Sequence, residues 1–242
     1  MKKRLVMGAV VAFVLCFGFI YWFYFSSPSS FPTDQEVTER INKAFPGAVV
    51  STVLDKLPAD ERHLVIPAED DYGLSYWVWE HREWKIAEVD GGGRPKIWKV
   101  NVKDPSSYRI VWNIRPDQQA QSVSFYAVQH RNYSWGDEVG RYVPRIQMEK
   151  EVLLSSSQYG MIAFPNEWLS YLESEQQAKT SPIHGSMLTS MYMDPSLQFG
   201  WNLYDESKNE LNGTWGRRSG ESYSYEQENI EFLLSIYKSE LE

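Results

Sequence analysis

Residues 74–89 read LSYWVWEHREWKIAEV, and this stretch decides the fold. Two runs rich in aromatic and branched residues, Leu74–Glu80 and Trp84–Val89, flank the polar break His81-Arg82-Glu83. Such residues suit a pleated, packed surface, and a short polar break between two such runs predicts a β-hairpin. Successive side chains of a strand point to opposite faces. In the first run Tyr76 and Val78 fall on one face, Trp77 and Trp79 on the other. Both faces are apolar, so the spacing predicts a central strand covered on both sides.

Outward from this hairpin the pattern repeats. Asp90-Gly91-Gly92-Gly93 is a turn, and strands are predicted at Ile97–Val102, Tyr108–Ile114, Val123–His130, Tyr142–Leu153 and Tyr159–Phe164. In Tyr108–Ile114 the alternation sets Tyr108, Ile110, Trp112 and Ile114 on one face. Upstream, Val49–Leu54 and His63–Ile66 are further strand candidates, and Phe199–Tyr204 is one downstream, followed by a turn at Asn212-Gly213. Three helices complete the reading. Thr33 and Glu36 form a capping box before the stripe Val37, Ile41, Phe45, and Pro46-Gly47 ends that helix. A second helix starts at Pro165-Asn166, with Asn166 as N-cap, and runs to about Gln177. A third is predicted over Glu226–Leu241 from the spacing of Ile230, Leu233, Leu234 and Tyr237. The expected fold class is α+β: an antiparallel β-meander covered by the N-terminal helix and later helices. The expected point of any subdivision of the domain is near 165–180.

The N-terminus has its own logic. Lys2, Lys3 and Arg4 precede twenty-one uncharged residues, Leu5–Phe25. As a helix that run is about 31 Å long, against a bilayer core of about 30 Å. Its end, Tyr21-Trp22-Phe23-Tyr24-Phe25, is an aromatic belt suited to the headgroup layer. The expected layout is a cytoplasmic tail (1–4), a transmembrane helix (5–25), a flexible Ser/Pro linker (26–32) and an extracytoplasmic domain (33–242). The basic cluster stays in the cytoplasm by the positive-inside rule, so the expected product is a single-pass protein of the cell membrane. Cleavage of a signal peptide after Ser27 or Ser29 is the rival reading. Signal peptides, however, have apolar cores of about 7–15 residues and small residues before the cut.

Composition narrows the function. Setting aside Lys2, Lys3 and Arg4 leaves 21 basic and 32 acidic residues, a net charge of −11. Nucleic acid and anionic lipid are poor partners for such a domain, whose mean field repels phosphate. Cys16 is the only cysteine and lies in the span, which removes disulfides and thiol chemistry from the domain and suggests a bacterial exterior protein. The four histidines show no metal-binding spacing, so no metal and no cofactor is expected. Ser235-Ile236-Tyr237-Lys238 matches S-x-x-K but lacks the partner motifs that make it catalytic. Glu69-Asp70-Asp71 and Asp137-Glu138 are paired carboxylates of the kind glycoside hydrolysis uses, here in turns.

Nine of the ten tryptophans lie in the domain, and Tyr76, Trp77, Trp79 and Trp84 crowd one hairpin. They pack under helices or, with Trp135, form a surface that stacks on glycan or docks a partner. The leading expectation is a non-catalytic binding module at the cell surface whose partner is another envelope protein. The alternative is a module that binds or weakly hydrolyses wall glycan through the Trp-rich hairpin and the loop carboxylates.

Overall fold

The computed structural model describes residues 2–47, 50–69, 72–136, 139–154, 157–180, 197–211, 222–224 and 229–241. Helix α1 spans Lys2–Phe25 and none of its apolar stretch Val6–Phe25 is buried by the rest of the chain. It is long and apolar enough to cross a membrane. Helix α2, Asp34–Ala44, starts at Thr33, whose side chain accepts from the Glu36 N–H while the Glu36 carboxylate accepts from the Thr33 N–H at 2.9 Å. Val37 and Ile41 are its buried residues.

The strands follow in order: β1 Leu57–Pro58, β2 His63–Pro67, β3 Leu74–Glu80, β4 Glu83–Asp90, β5 Lys96–Lys99, β6 Tyr108–Asn113 and β7 Ser122–Gln129. After them come β8 Asn132–Gly136, β9 Val139–Val143, β10 Ile146–Leu153, β11 Tyr159–Ala163, helix α3 Asn166–Thr180, β12 Gln198–Tyr204 and β13 Glu210–Leu211. The chain ends through β14 Ser222–Ser224, β15 Ile230–Phe232 and β16 Leu234–Ser235. These strands do not make one sheet. The first sheet runs β1-β2-β3-β4-β14, the second β11-β6-β5-β15 and the third β10-β7-β12-β13, with β16 also on β12. Among the described residues, strands β8 and β9 pair only with each other.

The sheets stack because their central strands are apolar on both faces. On one side of β3, Trp77 and Trp79 share a buried cluster with Val37 and Ile41 of α2. On the other, Tyr76 and Val78 pack with Trp98 of β5 and Val111 of β6. The opposite face of β6 presents Ile110 and Trp112 to Phe125, Trp201 and Leu203 of the third sheet and to Trp168 of α3. The order of layers is therefore α2, first sheet, second sheet, third sheet.

Several expectations are corrected. Tyr142–Leu153 is two strands, because Pro144 has no N–H to donate to a ladder. Residues 50–54 form no strand; Val53 makes a single bridge to Ala68. Helix α3 begins at Asn166 itself, with the Pro165 carbonyl accepting from the Trp168 and Leu169 N–H groups. The C-terminal helix is absent over 229–241. Ile230–Phe232 pairs with β5 and Leu234–Ser235 runs parallel to β12, so two open sheet edges take residues whose spacing alone fits a helix. Linker 26–32 is tied down: the Trp79 indole N–H donates to Ser26 O at 3.2 Å and that of Trp84 to Ser29 O at 3.2 Å. Phe31 packs edge-on against Trp77 and Trp84.

Candidate functional site

The third sheet has one packed face and one open face. On β7, Val123, Phe125 and Ala127 enter the core, so Ser124 and Tyr126 point the other way. On β10, Met148 and Val152 pack inward, which leaves Gln147, Glu149, Glu151 and Leu153 facing out. The end of the chain crosses this open face as a strap. The Ile236 N–H donates to Trp201 O at 3.1 Å, and the Ile236 side chain packs on Tyr126 and Val128 with Leu241 beside it. Asn202 Nδ2 donates to Ile236 O at 3.0 Å, and Arg145 donates to Glu240 O at 2.8 Å.

Between strap and sheet lies an open groove of about 410 Å³. Its floor carries the hydroxyls of Tyr126 and Tyr204, 2.7 Å apart. Glu149 and Glu151 stand on one wall, with Lys208, Lys238 and Leu241 on the others. Burial, then the bond to Tyr204, push the Tyr126 hydroxyl far above the ordinary phenol range, and burial raises Tyr204 as well. Both phenols are therefore neutral hydrogen-bonding groups at physiological pH. The ammonium of Lys208 binds the Glu151 carboxylate and holds its pKa below the ordinary value. The groove thus offers hydroxyls, both signs of charge and one apolar side chain, Leu241.

A second constellation surrounds the end of α1. Arg62 donates to Tyr24 O at 3.3 Å and to Ser26 O at 2.8 Å, occupying carbonyls at the negative end of the helix dipole. The tip of the β3–β4 hairpin lies alongside. The His81 ring sits 5.2 Å from that of Phe23 and 5.1 Å from that of Tyr24, and the Arg82 guanidinium lies 3.8 Å above the Trp22 ring. A third cluster is buried between the first two sheets. The Lys96 ammonium pairs with the Glu88 carboxylate, lies 3.2 Å from Asp90 Oδ2 and 4.2 Å from the centre of the Phe232 ring. Burial, with Asp90 and Glu88 nearby, raises the Tyr76 hydroxyl well above its ordinary value.

Of the aromatic residues singled out in the sequence, Trp77 and Trp84 line a pocket of about 540 Å³ with Arg40, Lys43 and Glu83, and Trp79 lines another with Arg62 and His81. Tyr76, Trp77, Trp79 and Trp84 are all buried, the tryptophans against α2 and Tyr76 against Trp98. Trp135 lies in β8 and its side chain falls outside the described set, as do Asp70, Asp71, Asp137, Glu138, His184, the turn at 212–213 and residues 181–196. Among the described residues no group of three or more His, Cys, Asp or Glu is placed to hold a metal ion. The groove residues come from four separate stretches. Their one signal in the sequence is the alternation of Gln147, Glu149 and Glu151 with Met148, Lys150 and Val152 along a strand. Compared with protein-family models, with characterised proteins and with solved structures, the chain matches none.

Proposed function

We propose that this chain is a single-pass membrane protein whose α+β domain stands outside the membrane as a non-catalytic binding module for another envelope protein. The groove between the third sheet and the C-terminal strap is its binding site. The observation that carries this reading is the groove's mixed lining. Neutral tyrosine hydroxyls, carboxylates, ammonium groups and the apolar side chain of Leu241 lie together around an open volume of about 410 Å³. A polypeptide segment presents that same mixture, whereas a glycan calls for exposed aromatic faces. The orientation follows from Lys2, Lys3 and Arg4 at the N-terminal end of α1.

The test is photo-crosslinking in the cells that make the protein. A photoreactive residue at Glu149 should give one discrete protein adduct, and the charge reversal Lys238→Glu should abolish it. The same residue placed at Gln35, on α2, should give none. No discrete adduct at 149, or one indifferent to Lys238→Glu, rejects the reading.

A further inference from the structure

The tip of the β3–β4 hairpin is built in an unfavourable way. Glu80 pairs with Glu83, so His81 and Arg82 alone make the turn, with φ of 50° and 67°. Two-residue turns with both central residues left-handed normally use Asn-Gly, because a Cβ crowds the backbone there. Strain kept at such a position calls for contacts that hold it. Such contacts are present: His81 lies against Phe23 and Tyr24, and Arg82 lies on Trp22. The tip does not place itself. Arg62 and the Trp79 indole, both outside the turn, bind the carbonyls of Tyr24 and Ser26 and fix the hairpin against the helix end.

Trp22 stands three residues before the end of α1, about 4.5 Å down the helix axis. In a spanning helix an aromatic belt at this level occupies the headgroup layer. The Arg82 guanidinium, stacked on that ring, sits at the same depth. It has five N–H donors in a fork that matches phosphate, and among the described residues no hydrogen bond or ion pair uses them. We propose that Arg82 binds the phosphate of a lipid headgroup in the outer leaflet, making the β3–β4 hairpin a finger that sets the domain's orientation on the membrane. This rests on the reading of α1 as a membrane span. It also supplies what the domain's charge does not: an attractive contact with the bilayer under a body of net charge −11.

The test uses the full chain carrying Cys16→Ser, in bilayers of phosphatidylethanolamine and phosphatidylglycerol. A nitroxide on Glu83→Cys should broaden the headgroup phosphorus resonance. Arg82→Gln should reduce that broadening severalfold. The pair His81→Asn with Arg82→Gly should do the same while keeping the turn, since Asn-Gly favours it; an unchanged near-ultraviolet circular dichroism spectrum checks that it has. Broadening that is absent in the parent, or equal in parent and both variants, overturns the proposal. A second nitroxide at Phe19→Cys reports separately on the span. If that label is accessible to water-soluble relaxants, it is the membrane reading of α1 that fails, and the headgroup contact with it. If it lies in hydrocarbon, the result at 83 judges the finger alone.

Discussion

Gly200→Ala is the sharpest test of the strap that closes the groove. Gly200 lies in β12 between Tyr126 of β7 and Leu234 of β16. A Cβ there would overlap the Cδ1 and Cγ1 atoms of Ile236 and stand 2.8 Å from the Leu234 carbonyl oxygen. The Ile236 side chain can swing away, but the Leu234 oxygen is backbone in a paired strand and moves only if the strap moves. Overpacking of this kind costs about 1–3 kcal/mol. Expelling Ile236, now 7% exposed, forfeits up to roughly 1.5–3 kcal/mol of burial. Since either response relieves part of the other, the expected loss is about 2–4 kcal/mol. Ile236→Ala alone should cost about 2 kcal/mol or a little more, as a large-to-small change in a small cluster. The two losses should not add. Removing Ile236 beyond Cβ also removes most of what the new methyl meets, so the double variant should be more stable than the sum predicts by about 1–2 kcal/mol. Urea unfolding of the full chain in detergent, followed by tryptophan fluorescence, measures all four proteins. Additivity within about 0.5 kcal/mol would show that the methyl and Ile236 do not meet, and would reject a strap packed over Gly200.

Two further predictions concern the first sheet and its helix. Lys96→Ala leaves the carboxylates of Glu88 and Asp90 buried without their cation, and should destabilise the domain by about 3–5 kcal/mol in the same unfolding assay. The capping box should show itself in pH dependence. The Thr33 N–H and hydroxyl both donate to the Glu36 carboxylate and hold its pKa below the ordinary 4.5. A carboxyl with a lowered folded pKa stabilises above its unfolded value and loses that contribution as pH falls through the folded one. The thermal midpoints of the wild type and Glu36→Gln should therefore differ at pH 7 and converge in acid below 4.5.

Much of the architecture was legible because local and tertiary demands agree there. Thr33 and Glu36 specify a helix start by geometry three residues long, and nothing distant competes. The apolar faces of β3 could be assigned by alternation, and both are covered, one by α2 and one by the second sheet. The C-terminus misleads for the opposite reason. Ile230, Leu233, Leu234 and Tyr237 fit a helical stripe, yet Leu233 and Ile236 are the buried residues while Leu234 and Tyr237 are exposed. What decided their conformation was the open edges of β5 and β12, which no local pattern announces. Misreading this segment hides the groove too, because the strap supplies Lys238 and Leu241.

The crowded tryptophans carry a related lesson about polar handles on apolar residues. Linker 26–32 contains Pro28 and Pro32, which cannot donate hydrogen bonds, so its carbonyls find no ladder of their own. Trp79 and Trp84 bury their rings against α2 and turn their single N–H groups to Ser26 O and Ser29 O. An indole can do both at once, being a large apolar body with one donor at its edge. The donors that Ser26 O and Ser29 O need, together with an apolar face for Phe31, account for aromatic residues in this hairpin without invoking a ligand. This bonding also changes what the linker transmits. Bonds from Arg62, Trp79 and Trp84 to three successive points along residues 24–29 leave little freedom for the domain to swing about the helix.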